Sequence, residues 1–222
     1  MDKIIKREDL MRQADLIPVH KVEALKVLVI GCGAIGSFAT LALAKMGVND
    51  ITVYDFDTVD TVNMNNQFYR FKDIGRPKAT ALQSLVYDFT EVMITAVLHK
   101  FEGSEDRFDI VVMAVDSMEA RRELHTKLKA KWMIDTRMGA EVYNQYVVNM
   151  RSEDSIKSYG KTLYTDAEAV AERCTAKSTI YTALTAGSMV CKAVKNILAD
   201  EPHPKSILMN LNKSSNNVQM FQ

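Results

Sequence analysis

The stretch VLVIGCGAIGSFATLALAKMGVNDITVYDFD, residues 27–57, constrains the fold more than any other part of the chain. It opens inside a continuous apolar run, KVLVI (26–30), which suits a strand buried on both faces. Gly31, Gly33 and Gly36 follow at once, and then a helical stretch over 35–46 that Gly47 ends. A second strand is expected at 51–55. Strand, glycine turn, helix and strand in this order form a unit built to hold a nucleotide. The glycines let the backbone approach a ligand closely. The helix N-terminus behind them presents free N–H groups and a partial positive charge to phosphate. Asp55 closes the second strand roughly 20 residues past the glycines, where its carboxylate can accept the ribose hydroxyl protons. To this point NAD and ATP fit equally well.

The rest of the pattern sets the architecture. A helix is expected over 76–88, with Pro77 in its first turn, then strands at 93–98 and 108–116 and a helix over 118–130. Alternation of this kind builds a parallel sheet with helices on both faces. Strands at 132–139 and 141–150 have almost nothing between them and are expected to pair antiparallel. Residues 152–161 are polar and read as a loop. A long helix over 178–198 carries little charge in its first half and should be well buried. Strands at 207–212 and 217–221, split by 213–216, close the chain as a hairpin. No repeat, linker or composition shift divides it. Residues 1–222 are therefore expected to form a single α/β nucleotide-binding domain. Its sheet would be Rossmann-like and mixed, parallel in the N-terminal half and antiparallel in the C-terminal half.

Composition narrows the partners. The chain has 222 residues, 47% of them hydrophobic, enough for one sizeable core. Its 28 basic and 28 acidic residues leave a formal net charge of zero. That gives no electrostatic case for gripping nucleic acid or an anionic membrane. No apolar run reaches the roughly 18 residues a bilayer span needs, and the polar N-terminus MDKIIKREDLMRQ lacks a signal-peptide core. A soluble cytoplasmic protein is expected. The three cysteines, Cys32, Cys174 and Cys191, make neither a disulfide framework nor a C-x-x-C zinc pair, and the four histidines show no metal-like spacing.

The residues after the second strand point toward phosphate chemistry. Asp57, Asn63, Asn66, Gln67, Arg70 and Lys78 follow it, and Asp116 ends a later strand. Strand ends on the carboxyl edge of such a sheet face the ligand crevice. Hydride transfer needs no acid there, whereas a carboxylate can hold Mg²⁺ against phosphate oxygens. Lys78, in the first turn of its helix, supplies a mobile positive charge. An NAD(P)-dependent oxidoreductase is the competing reading. Cys174 lies between Arg173 and Lys177, which could lower its pKa and expose a thiolate; a buried apolar cysteine is the alternative, and both stay open. Cys32 and Cys191 read as packing residues, and His125 and the run Lys127, Lys129 and Lys131 as a solvated helix face. Asp135 and Arg137 share one side of a strand, as an ion pair near the site or as structure alone.

Across residues 11–125 the chain resembles the ThiF/MoeB and ubiquitin-activating (E1-like) adenylyltransferase superfamily. The likeness rests on Arg12-Gln13, the glycine turn, Asp55-Phe56-Asp57 with Val59, Asn63 and Gln67, Asp73-Ile74-Gly75 with Pro77-Lys78-Ala79, and Asp116 with Arg121. A looser likeness continues through Cys174, Gly187 and Ala193-Val194-Lys195. The resemblance implies adenylation, by ATP, of the C-terminal carboxylate of a ubiquitin-like or sulfur-carrier protein. It implies that Asp55 binds ribose, that Asn63 and Lys78 contact phosphates, and that Asp116 binds Mg²⁺. Arg12 would reach the phosphates of the partner subunit in a homodimer, and Cys174 would receive the activated carrier. Two departures stand out. Asn66 occupies the position of a phosphate-binding arginine, which leaves Arg70 to reach back or the activity to be reduced or lost, as in a pseudo-enzyme partner subunit. The superfamily's two C-x-x-C zinc pairs are absent, as in a minimal member.

Overall fold

The computed structural model describes residues 8–103, 107–164, 178–212 and 217–221. A short 3-10 turn at Glu8–Gln13 leads to α1 (Val19–Glu23), β1 (Lys26–Ile30), α2 (Ala34–Met46) and β2 (Asp50–Tyr54). After two more 3-10 turns come α3 (Lys78–Thr90), β3 (Thr95–Val97), β4 (Phe108–Met113) and α4 (Met118–Leu124). The C-terminal half contributes β5 (Ala130–Gly139), β6 (Val142–Asn149), α5 (Glu153–Gly160), α6 (Ile180–Leu198), β7 (Ser206–Asn210) and β8 (Asn217–Phe221).

All eight strands form one sheet in the order β3-β2-β1-β4-β5-β6-β7-β8. The pairs from β3 to β5 are parallel, and those from β5 to β8 are antiparallel. This is the mixed, Rossmann-like sheet that the sequence pattern calls for. The apolar run of β1 has its cause here. Val27 and Val29 pack on one face with Ile51, Val53, Ile110 and Val112 beneath α2, α3 and α6. Leu28 and Ile30 pack on the other with Val111, Met113, Met133, Leu124 and Tyr159. Each such side chain, fully buried, contributes about 1.5–3 kcal/mol. Among the described residues no helix is long and apolar enough to cross a membrane.

Two expected elements differ. Residues 152–161 are not a loop: Ser152 caps α5 by accepting from Ser155 N–H at 3.3 Å, and Glu153 and Asp154 sit in its first turn. The polar composition hides a one-sided helix that anchors itself through buried Tyr159 and half-buried Ile156. The helix expected over 118–130 stops at Leu124, because residues from Ala130 onward pair with β4. Helix propensity loses to the ladder. Lys131 is accordingly a strand residue paired with Asp109, not part of a wet helix face. His125 is half-buried, stacked edge-on against Tyr159.

Helix α6 lies across α2 at a point where one side chain is missing. A Cβ on Gly187 would sit 3.0 Å from Phe38 Cβ and 3.3 Å from the Ala39 nitrogen. Backbone lines one side of this contact and cannot move aside. Gly187→Val is expected to lower unfolding free energy by roughly 1–3 kcal/mol through overpacking. A urea denaturation series with an unchanged slope checks it, and a neutral result would show that the two helices can separate freely.

Candidate active site

The site begins at the end of β1. Gly31 takes a φ of 95°, and its N–H donates to Tyr54 O at 2.8 Å. A Cβ on Gly31 would stand 2.6 Å from Ala114 O, and one on Gly36 would stand 1.8 Å from Gly31 O. Glycine is therefore required at both places for β1, α2 and β4 to meet. Around Gly33 the space is open, and this residue caps α2 without offering a side chain to the first N–H groups. Those donors face outward, ready for an anion.

Asp55 is locked to this turn. One carboxylate oxygen accepts from Cys32 N–H at 2.6 Å and the other from Asp57 N–H at 2.8 Å. Burial raises its pKa despite these bonds and the nearby charge of Lys78. Burial and then the neighbouring carboxylate of Asp55 push the Cys32 thiol well up, so that side chain is inert packing. Cys191 is pushed up to about 12 by burial alone. Tyr69 was not anticipated as part of the site, yet its hydroxyl donates to Cys32 O at 2.7 Å. With Phe68 N–H donating to Ser37 Oγ at 3.0 Å, it bolts the asparagine-rich segment onto α2.

The polar residues of that segment divide into two groups. Asn63, Asn66, Gln67 and Lys78 line the cavity described below. Asn63 accepts from Asp60 N–H at 2.8 Å and closes a local capping box. Asn66 donates its amide to Ser178, while its own side-chain oxygen and that of Gln67 are buried without a partner among the described residues. The Lys78 ammonium, nearly buried, donates to Asp57 Oδ2 at 2.9 Å. Arg70 faces elsewhere and is not among the lining residues. It is spent on Asp73 at 2.8 Å and Asp88 at 2.6 Å, so it does not reach back to cover for Asn66. Burial alone would raise Asp73, but the hydrogen bonds from Arg70 and Arg76 outweigh it and hold the carboxyl below its usual range.

The opposite wall comes from β4, α4 and β5. Asp116 stands just past β4, exposed on the cavity, and its carboxylate makes no hydrogen bond or ion pair among the described residues. Behind it lies a buried network centred on Asp135. One oxygen accepts from Arg121 Nε at 2.9 Å. The other accepts from Arg137 Nε at 2.7 Å and from the Tyr159 hydroxyl at 3.1 Å. Arg137 also lies over the Tyr146 ring at 4.4 Å and donates to Thr162. The same-side spacing of Asp135 and Arg137 announces this ion pair in the sequence; the share taken by Tyr159, inside an apparent loop, does not.

These walls enclose one open cavity of about 1930 Å³. Gly31, Gly33, Asp55, Asp57, Asn63, Asn66, Gln67, Lys78 and Asp116 all line it. Gly36 stands behind the lining, holding α2 against the turn. Arg12 does not line it; it sits exposed on the turn at Glu8–Gln13, whose Gln13 side chain binds Met46 O at 2.9 Å. Cys174, with Arg173 and Lys177, falls outside the described residues. Among the described residues no group of three or more His, Cys, Asp or Glu is placed to hold a metal unaided, so a cation here would take other ligands, such as phosphate oxygens, beside Asp116.

Residues 8–222 match the ThiF family. The NEDD8-activating enzyme E1 catalytic subunit of Dictyostelium discoideum is 34% identical over 137 residues, 55% of this chain and 31% of that protein. SUMO-activating enzyme subunit 2 of the same organism is 35% identical over 113 residues, 47% of this chain and 17% of that protein. The chain thus aligns with less than a third of the length of either. Among solved structures, E. coli MccB with ATP superposes with a TM-score of 0.70 at 15% identity, covering 91% of this chain and 65% of that one. MccB with MccA gives 0.74 at 14%, covering 97% and 72%. At such identities the likeness shows the fold.

Asp73 yields a pH test. Its folded pKa lies below the unfolded value, so its contribution is full above about pH 4 and is lost as pH falls toward the folded value. Urea midpoints measured between pH 5 and roughly pH 2 should fall in the parent chain and fall less steeply in Asp73→Asn. Equal slopes would mean that the Arg70–Asp73–Arg76 cluster adds nothing to acid stability.

Proposed function

Because the chain belongs to the ThiF family, we propose that it activates the C-terminal carboxylate of a ubiquitin-like or sulfur-carrier protein by adenylation with ATP and Mg²⁺, in the cytoplasm. The relatives' names, SUMO- and NEDD8-activating, support a ubiquitin-like protein as the carrier class. One observation carries the reading. The open helix N-terminus at Gly33, the ammonium of Lys78 and the carboxylate of Asp116, which has no partner among the described residues, all line the same cavity. A phosphate chain needs this set of groups: donors for its oxygens, a cation, and a hard oxygen ligand for a metal.

The residues fit the nucleotide. Asp55, held by two N–H groups, keeps lone pairs for the ribose hydroxyls. The α2 N-terminus cradles phosphate oxygens, and Lys78 exchanges its bond to Asp57 for one to phosphate. Asp116 would hold Mg²⁺, which when bound neutralises charge on the phosphates. A carboxylate oxygen of the carrier attacks the α-phosphorus as the bond to the bridging oxygen of the β-phosphate breaks. Pyrophosphate leaves and an acyl-adenylate remains. Negative charge grows on the departing oxygen, so positioned cations and N–H groups provide most of the acceleration. Arg12 of a partner subunit in a homodimer supplies a further cation. Transfer to Cys174 then forms a thioester as AMP departs.

Asn66 favours a second reading, a nucleotide-binding subunit with little activity of its own. Its amide is spent on Ser178, and both arginines of the cavity wall are committed to Asp135.

ATP–pyrophosphate exchange, run with a panel of ubiquitin-like and sulfur-carrier proteins, separates the two. Asp116→Ala is expected to cut exchange by at least about a hundredfold with its melting temperature unchanged, and retained exchange would overturn the role of Asp116. Mixed dimers of Arg12→Ala and Asp116→Ala should regain part of the activity if the arginine acts across subunits. No exchange with any carrier, together with ATP binding, would favour the second reading. For Cys174→Ala, exchange should persist while a covalent carrier adduct, visible by mass spectrometry, disappears; an adduct that survives would place the acceptor thiol elsewhere.

A further inference from the structure

The ladder between β4 and β5 ends at the pair Met113–Asp135. Beyond it β5 runs on to Gly139, while the other strand leaves the sheet through residues 114–117. Strands that part leave carbonyls without ladder donors, and buried carbonyls must find others. Arg121, one turn into α4, provides them. Its Nη2 donates to Val115 O at 2.6 Å and to Thr136 O at 2.9 Å. Its Nη1 donates to Ser117 O at 3.1 Å and its Nε to Asp135 at 2.9 Å. Val115 and Ser117 are the two neighbours of Asp116. The Asp116 carboxylate has no partner of its own among the described residues. Its place is therefore set by the backbone on either side, and one guanidinium, its side chain only 5% exposed, holds both carbonyls.

We infer that Arg121 is the positioning residue for the metal-holding carboxylate: it fixes Asp116 against the glycine turn so that a divalent cation can be shared with a bound phosphate. The inference rests on the nucleotide reading above. Mg²⁺ demands near-ideal ligand geometry, so a carboxylate on a loose loop binds it poorly. Lysine is no substitute, since a single ammonium cannot reach three carbonyls and a carboxylate that lie in different directions.

The test measures metal coupling by calorimetry, with α,β-methylene-ATP as the probe, in MgCl₂ and in EDTA. The parent chain should bind the analogue roughly tenfold more tightly with Mg²⁺. Arg121→Lys keeps the charge opposite Asp135 and should hold its metal-free affinity within about twofold while losing most of that gain. Arg137→Lys touches the same aspartate but neither carbonyl beside Asp116, and should keep the gain. If Arg121→Lys does not fold, Arg121→Met leaves Asp135 paired with Arg137, so no buried charge is stranded, and the same loss is expected. A gain retained without Arg121, or lost equally in Arg137→Lys, would reduce the network to scaffold. A parent chain whose affinity ignores Mg²⁺ would overturn the metal role of Asp116 and this inference with it, and one that binds no analogue at all would overturn the nucleotide reading itself.

Discussion

The closeness of α2 to the turn before it governs the whole site. The hydrogen on Gly36 faces Gly31 O where a methyl would stand 1.8 Å away, and Gly31 presses on Ala114 O in the same manner. Three segments meet at these two contacts: the end of β1, the start of α2 and the end of β4. They also mark the point where the strand order reverses, with β2 and β3 on one side of β1 and β4 onward on the other. Connections leave that point in opposite directions, so a crevice must open at the carboxyl edge. Lifting α2 by one methyl would carry its N–H groups away from Asp55 and Lys78. The seating of the α2 N-terminus beside the ends of β1 and β4 follows from two absent side chains.

Charge in the crevice is arranged in advance. Lys78 faces Asp57, Lys100 faces Glu123, and Arg121 and Arg137 share Asp135. A triphosphate entering such a place meets no idle cation among these. It must displace carboxylates from their partners or bring a metal of its own. Asp116 is the complement of that demand, an acid on the crevice wall whose carboxylate has no protein partner among the described residues. The surplus of one guanidinium over one carboxylate at Asp135 adds a standing positive potential behind it, which low exposure keeps from being screened.

The sequence showed the parallel half of the fold plainly, because two-sided burial writes itself as unbroken apolar runs and the glycines fall where backbones touch. The same logic placed Asp55 and Asp116 at strand ends facing one crevice. It failed where the determining contact is distant. Nothing local tells that Arg70 reaches Asp88, or that Tyr69 closes over Cys32. Residues 152–161 carry enough charge to read as a loop, yet the Ser152 cap, Ile156 and Tyr159, which reaches Asp135, make them a helix. Helix propensity also misjudged the stretch after Leu124, where the neighbouring strand decides.

Asn66 stands where the resemblance to the family implies an arginine. An arginine there would add a cation to the wall; the asparagine instead ties this side of the crevice to Ser178, which bridges to Ala140 just past β5. The exchange trades electrostatic strength for a fixed geometry. On the proposed reading Lys78 would be the cation that this wall offers a phosphate chain, and its bond to Asp57 sets how readily it is released. Asp57 is half-exposed, with a side-chain accessibility of 52%, so water can take over its carboxylate when the ammonium turns away. With a phosphate chain bound as proposed, the lysine would pass from one anion to another without standing bare at any stage, and the largest electrostatic cost of recruiting it would be avoided.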